Sequence, residues 1–303
     1  MPAFGNVLAS KDGGNGRIAR LQLNRPDKLN AIDSALPGQL RSAVEWAQSD
    51  DEVHVIVLEG AGRAFCAGYD LAEYAEARED HPCRQEGMPW DPMVDYALMK
   101  RHTEDFMSLW RCPKPTIAKI HGYAVAGGSD IALCCDLIVI EDQARIGYMP
   151  TRVWGCPTTA MWTYRLGAAR AKQLMFTGDT LSGAEAAEWG LAARAVPLPE
   201  LEGAVLELAG RISGVPRSHL AMHKMLVNQV MLTMGLEQTQ MLATVFDGIT
   251  RHNPEGLWFR RYAQKEGFKK AVQWRDSGRP IPESDEARRL VEQLERDLRA
   301  RHD

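Results

Sequence analysis

The chain lacks any apolar run approaching the ~18 residues that a bilayer span needs, so no membrane helix is read in it. It also lacks an excess of positive charge. Lys and Arg number 36 against 40 Asp and Glu, a net charge of −4, and nucleic acid is not expected as a partner. The six cysteines, Cys66, Cys83, Cys112, Cys134, Cys135 and Cys156, form no Cys-x-x-Cys pair, and several sit inside apolar runs. Reduced, buried thiols fit that pattern better than a disulfide framework. Residues 1–6 hold no basic region followed by an apolar stretch, so no signal peptide is read there, and a cytoplasmic location is expected. There is no His-Glu-x-x-His, no Gly-x-Gly-x-x-Gly and no P-loop, and hence no motif for a metal, dinucleotide or nucleotide phosphate. No internal repeat or low-complexity segment interrupts the 303 residues, whose apolar and charged fractions, 45% and 25%, are those of an ordinary globular protein.

What the chain does have is glycine placed just beyond apolar, β-rich runs. Residues 114–136 begin as a strand, pass through Gly127 and Gly128, and continue as an apolar helical pattern. Glycine lets backbone approach a ligand closely, and Ser129 and Asp130 are expected to start the helix, leaving forward-pointing amides unpaired. Residues 53–59 form a second expected strand, followed by Gly60, Gly62 and the run Ala67-Gly68-Tyr69-Asp70. Two such turns can each offer one backbone N–H to the same carbonyl oxygen, which is an oxyanion hole. The alternative for either is a tight strand-to-helix turn and nothing more.

Around these turns the order of elements is readable. Residues 7–23 are expected to form a hairpin with its turn at 12–16, and Asp33 or Ser34 to cap a helix ending near Gln48. Residues 78–95 read as a loop insertion or a flap near a site, followed by a helix to about Trp110. Residues 181–190 carry a capping box, Ser182 and Glu185, with Gly190 as the stop. Beyond Pro197 and Pro199 everything reads as helical: 200–214, 217–234, 236–250 and 255–276, then a charged tail over 284–303 with Leu290, Val291, Leu294 and Leu298 on one stripe. The division expected is a core over 1–199, a helical region over 200–283 and a terminal helix.

These pieces resemble the crotonase superfamily, the enoyl-CoA hydratase/isomerase family. The matching segments are Leu23-Asn-Arg-Pro-Asp-Lys-Leu-Asn-Ala-Ile32, Phe65-Cys-Ala-Gly-Tyr-Asp-Leu71, Lys114-Pro-Thr-Ile-Ala-Lys-Ile-His-Gly122, Ala126-Gly-Gly-Ser-Asp130, Thr177-Gly-Asp-Thr-Leu-Ser182 and Ala186-Ala-Glu-Trp-Gly-Leu191. The resemblance implies an α/β fold, a spiral of ββα units with a C-terminal helical region that builds a trimer or a dimer of trimers. It implies acyl-CoA thioester substrates, with coenzyme A arriving as part of the substrate and no separate cofactor or metal. It places the oxyanion amides at Tyr69 and Gly127. Ala67, Asp70 and Leu71 continue the stretch that lines the CoA side in the family. Lys28, Lys269 and Lys270 are candidates for CoA phosphates, or simply solvated lysines.

The pattern also breaks. Hydratases of the family use two glutamates, and the first falls here on Asp130, one methylene shorter. It is either an acid/base group or an acid in a first helical turn. The second falls on Thr151, or on Pro150 without a gap; neither is a carboxylate, though Thr151 could orient a water. Arg152 beside it can only donate. Met161 and Trp162 replace glycines and, with Tyr148 and Trp154, would reshape the acyl pocket unless they point into the core. An enoyl-CoA hydratase-like lyase is expected, with an enoyl- or dienoyl-CoA isomerase, a hydrolase or an acyl-CoA-binding pseudoenzyme as alternatives.

Overall fold

The computed structural model describes residues 3–12, 16–76 and 90–300. Two sheets organise it. The larger has the strand order β1 (Ala3–Phe4), β2 (Val7–Asp12), β3 (Ile18–Leu23), β4 (Val55–Gly60), β5 (Thr116–Ile120), β7 (Leu137–Glu141), β10 (Arg194–Val196). The first three strands are antiparallel, and from β3 onward every pairing is parallel. A smaller sheet orders β6 (Tyr123–Val125), β8 (Arg145–Gly147), β9 (Thr180–Ser182). The repeat behind this is simple: a long strand enters the large sheet, the next short strand enters the small one, and a helix returns the chain. That is the expected ββα spiral.

The buried parallel strands read as unbroken apolar runs because both faces are covered. All six residues of β4 are buried. Ile56 and Leu58 face the main core with α1 (Leu36–Ser49), while Val55 and Val57 face α7 (Leu198–Ser213) through Leu201 and Val205. Asp33 Oδ1 accepts the N–H groups of Ala35 and Leu36 just ahead of α1, whose N-cap is Ala35 and neither of the expected Asp33 and Ser34. The reciprocal Ser182–Glu185 box is present at α6 (Gly183–Glu188).

The expected long loop falls mostly on 77–89, outside the described residues, as do the tip of the 12–16 turn and Cys83. Within the described part of that segment Asp91 caps α2 (Pro92–Phe106), and a short α3 (Ser108–Arg111) follows. Next in the chain come α4 (Gly127–Leu133) and α5 (Met161–Thr177).

After α7 come α8 (Arg217–Thr233) and α9 (Leu236–His252). The helix expected over 255–276 is two, α10 (Pro254–Glu266) and α11 (Phe268–Asp276). Gly267 between them has φ 92° and ψ 143°, which no helix accommodates. The last, α12 (Ser284–Arg299), buries Ala287 and Leu294 against a second core of Trp258, Phe259 and Ala263 from α10 and Trp154. No helix among the described residues is long and apolar enough to cross a membrane.

Candidate active site

Two turns meet where β4 and β6 end. The chain after β4 bridges Ala124 through Cys66, then bridges Ile32 through Tyr69. The second bridge uses the Gly68 carbonyl and the Asp70 N–H. Along an extended segment successive amides alternate, so the Tyr69 N–H points to the opposite side. The other turn is Ala126-Gly127-Gly128. Ala126 holds φ 53° and ψ −129°, a strained conformation for a residue with a Cβ. Its N–H is fixed by Gly147 O, and α4 starts at Gly127, whose N–H donates to no other group among the described residues.

The turns touch because glycine permits it. A Cβ on Gly68 would lie 3.3 Å from Gly127 N, and one on Gly128 would lie 2.2 Å from Cys66 O. Ser129 does not cap α4 as expected; its hydroxyl donates back to Ala126 O at 2.6 Å. Asp130 does not cap either.

A cavity of about 700 Å³ opens in front of these turns. It is lined by Lys28, Ala67, Tyr69, Asp70, Leu71, Gly127, Asp130, Tyr148, Trp154 and Lys269, all expected in the site. Of these, Asp70 is tied to Arg25 at 3.0 Å and caps Ala72, so it braces the turn. Five expected residues lie elsewhere. The Thr151 hydroxyl donates to Met175 O at 2.6 Å and is outside the cavity lining, where it cannot orient a water. Arg152 donates to the carbonyls of Arg275, Thr177 and Arg279, binding the C-terminal helices to α5. Met161 and Trp162 are buried in the main core. Lys270 is exposed, lies outside the cavity lining and pairs with Glu266 across the junction between α10 and α11.

Asp130 is nearly inaccessible and accepts a 2.5 Å hydrogen bond from the Thr159 hydroxyl. Burial pushes its carboxyl up to about 8, helped by the charge of Asp247 and opposed by Thr159. It is therefore mostly protonated at neutral pH, a proton donor in waiting. His102, whose Nδ1 lies 3.4 Å from the Tyr69 hydroxyl, is lowered to about 4 by burial and by Arg101 and Arg251, so it stays neutral. The Tyr148 hydroxyl donates to Cys156 O at 2.9 Å and is raised further by burial. Among the described residues no cluster of three or more His, Cys, Asp or Glu is placed to hold a metal ion.

Several lining residues escaped the sequence: Arg63, Tyr74, Met99, Thr158, Phe268 and, above all, Asp247 and Arg251 of α9. The signal for the last two was present but inverted. The inward face of α9 is Gln240, Ala243, Thr244, Asp247, Gly248 and Arg251, while Met241, Leu242, Val245, Phe246 and Ile249 are exposed. A polar stripe at helical spacing ordinarily faces solvent; here it is buried, and its Asp247 and Arg251 line the cavity.

An α/β spiral with paired glycine turns at strand ends, an acid behind them and a cavity in front is the architecture of a crotonase-fold protein. The comparisons with known proteins give the family. Residues 13–270 match the family model described as enoyl-CoA hydratase/isomerase. A crystal structure of enoyl-CoA hydratase from Mycobacterium smegmatis is 44% identical, with a TM-score of 0.84, covering 91% of this chain and 96% of that one. An enoyl-CoA hydratase/isomerase from Xanthobacter autotrophicus Py2 is 27% identical with a TM-score of 0.81, covering 91% and 99%. The mitochondrial enoyl-CoA hydratase of Pongo abelii is 29% identical over 236 residues, 74% of this chain and 73% of its own. The chain belongs to the enoyl-CoA hydratase/isomerase family of crotonase-fold enzymes.

Proposed function

We propose that the chain is an enoyl-CoA hydratase-like enzyme. Its substrate is an acyl-CoA thioester whose carbonyl oxygen sits between the N–H groups of Tyr69 and Gly127. The observation that carries this is the abutment of the two turns beside a cavity that the buried Asp130 also lines. Negative charge that develops on the thioester oxygen is met by amides that need no reorganisation, which is where this kind of site lowers the barrier most. Asp130 supplies a proton at carbon. Lys28, Arg63 and Lys269 also line the cavity and offer cationic contacts for the phosphates of CoA.

Isomerisation of an enoyl-CoA is the second reading, favoured by the loss of a carboxylate at Thr151. Incubation of the protein with trans-2-enoyl- and 3-enoyl-CoA esters, read by mass spectrometry, separates the two. Gain of one water is expected. Unchanged mass with a moved double bond selects the isomerase, and free CoA a hydrolase.

The protein assembles, on this reading, as a trimer or dimer of trimers through α8 and α9. Met222, Met225, Leu226, Val227 and Val230 of α8 are exposed beside the apolar stripe of α9. A continuous patch of that kind on a folded chain marks a protein contact.

A further inference from the structure

The loop joining β8 to α5 is held from two sides by acids of one cavity. Its Cys156 N–H donates to Asp247 Oδ1 at 2.9 Å, and its Thr159 hydroxyl donates to Asp130 Oδ1 at 2.5 Å. Gln240, about two helical turns before Asp247, adds a 2.9 Å hydrogen bond to Thr159 O. Asp130 on α4 and Asp247 on α9 therefore flank the same loop and line the same cavity. Their surroundings differ in kind. No Lys, Arg or His pairs with Asp130 among the described residues. Asp247 Oδ2 lies 3.1 Å from a guanidinium nitrogen of Arg251, whose Nε also donates to it. Asp247 Oδ1 keeps one lone pair beyond its bond to Cys156, while Oδ2 is taken up by the two contacts with Arg251.

We propose that Asp247 is the second acid/base residue of this site, the carboxylate that stands in for the glutamate missing at Thr151. The assignment rests on the hydratase-like reading above. Two carboxyl groups in one site divide the acid and base roles when their environments pull them apart. Burial raises both, and among the described residues only Asp247 has a paired cation, Arg251, opposing that rise. In hydration, Asp247 takes a proton from water as the water oxygen bonds to C3. The C2=C3 electron pair moves towards the thioester, whose oxygen becomes an enolate held by the Tyr69 and Gly127 amides. Asp130 then delivers its proton to C2 and the enolate collapses to the thioester. The cycle closes when the proton on Asp247 returns to Asp130.

The test compares wild type, Asp247→Asn, Asp247→Glu and Asp130→Asn on a short trans-2-enoyl-CoA. Asparagine still accepts from Cys156 N–H, and Arg251 keeps its two-point contact with Asp95 at 2.8 and 2.9 Å, so a purely structural role survives the change. If Asp247 is the base, kcat falls at least about 100-fold while KM moves by only a few-fold. The acidic limb of the kcat/KM profile disappears in Asp247→Asn, and the alkaline limb in Asp130→Asn. Asp247→Glu recovers part of kcat. The groups facing Asp247 that shape these limbs are Arg251, Asp95, Asp130, Tyr148 and Cys156. A hydrating wild type with Asp247→Asn unchanged in kcat and in both limbs overturns this assignment alone. A wild type that hydrates no enoyl-CoA ester overturns the functional reading and this assignment with it.

Discussion

Asp130 is a carboxyl kept away from water, with a hydroxyl partner and no cation paired to it among the described residues, and this has consequences for stability as well as for chemistry. Its folded value, about 8, lies above the ordinary 3.8. The native state therefore binds more protons than the unfolded state across that window, and stability falls as pH rises through it. His102 runs the other way: its folded value of about 4 lies below 6.5, so stability falls as pH drops through that interval. From these two groups the wild-type stability curve should be nearly level between about 4 and 6.5 and decline from there to about 8. Asp130→Asn removes the carboxyl but keeps the shape. Its thermal midpoint, measured against pH, should gain on wild type steadily above pH 4, by an amount equivalent to a few kcal/mol at pH 8. A constant difference between the two curves would show that Asp130 titrates normally. At the neighbouring turn, Gly128→Ala puts a methyl group 2.2 Å from the Cys66 carbonyl, with backbone on both sides and no flexible chain to yield. It should cost at least about 1–3 kcal/mol in a denaturant titration and separate the two turns.

At the scale of the element, Arg152 shows how a residue can be noticed for the wrong reason. It stands next to the position where a catalytic acid was sought, and it works instead as a clamp on three carbonyls, two of them at the end of α11 and beyond. Arg152→Ala should destabilise that junction by about 1.5–3 kcal/mol. Hydrogen exchange in α11 and α12 should accelerate while the β4 and β5 amides keep their protection; uniform acceleration would argue against a local clamp. The same contrast explains what could be read from the chain. The hairpin, the buried parallel strands, the glycine turns and the Ser182 cap announce themselves because each depends on neighbours in sequence. The direction of the Thr151 hydroxyl depends on Met175, and the role of Asp247 on a loop some ninety residues earlier. Those partners are joined by the fold, and no local spacing encodes them. Met161 and Trp162 left both readings open until the core closed around them.

For the whole molecule the deciding feature is the reversal of α8 and α9, whose apolar faces look outward. Covering them with a second copy removes large side chains from water at about 25 cal/mol per Å² of apolar surface. Sedimentation or light scattering at micromolar concentration should give a trimer or hexamer. Replacing Leu226 and Phe246, which are 69% and 47% exposed, by Glu should yield smaller species that remain folded. A wild type that sediments as a monomer would leave this surface to another partner. Since Asp247 projects from the inner face of the same α9, the dissociated form should also lose turnover faster than it loses affinity for CoA.

One feature of the seam between the turns has a practical use. Cys66 lies wholly buried there, its thiol donating to Asn30 O at 3.1 Å and raised to about 12 by burial. In that state it is inert towards alkylating and disulfide reagents, because only the thiolate attacks. Its backbone holds the strand after β4 against Tyr123 and Val125. Any labelling of Cys66 must therefore wait for the seam to part, so the rate of its modification, followed by peptide mass mapping, is a stopwatch for the breathing of the carbonyl-binding turns. Occupancy of the cavity should slow that stopwatch without a reporter group being added.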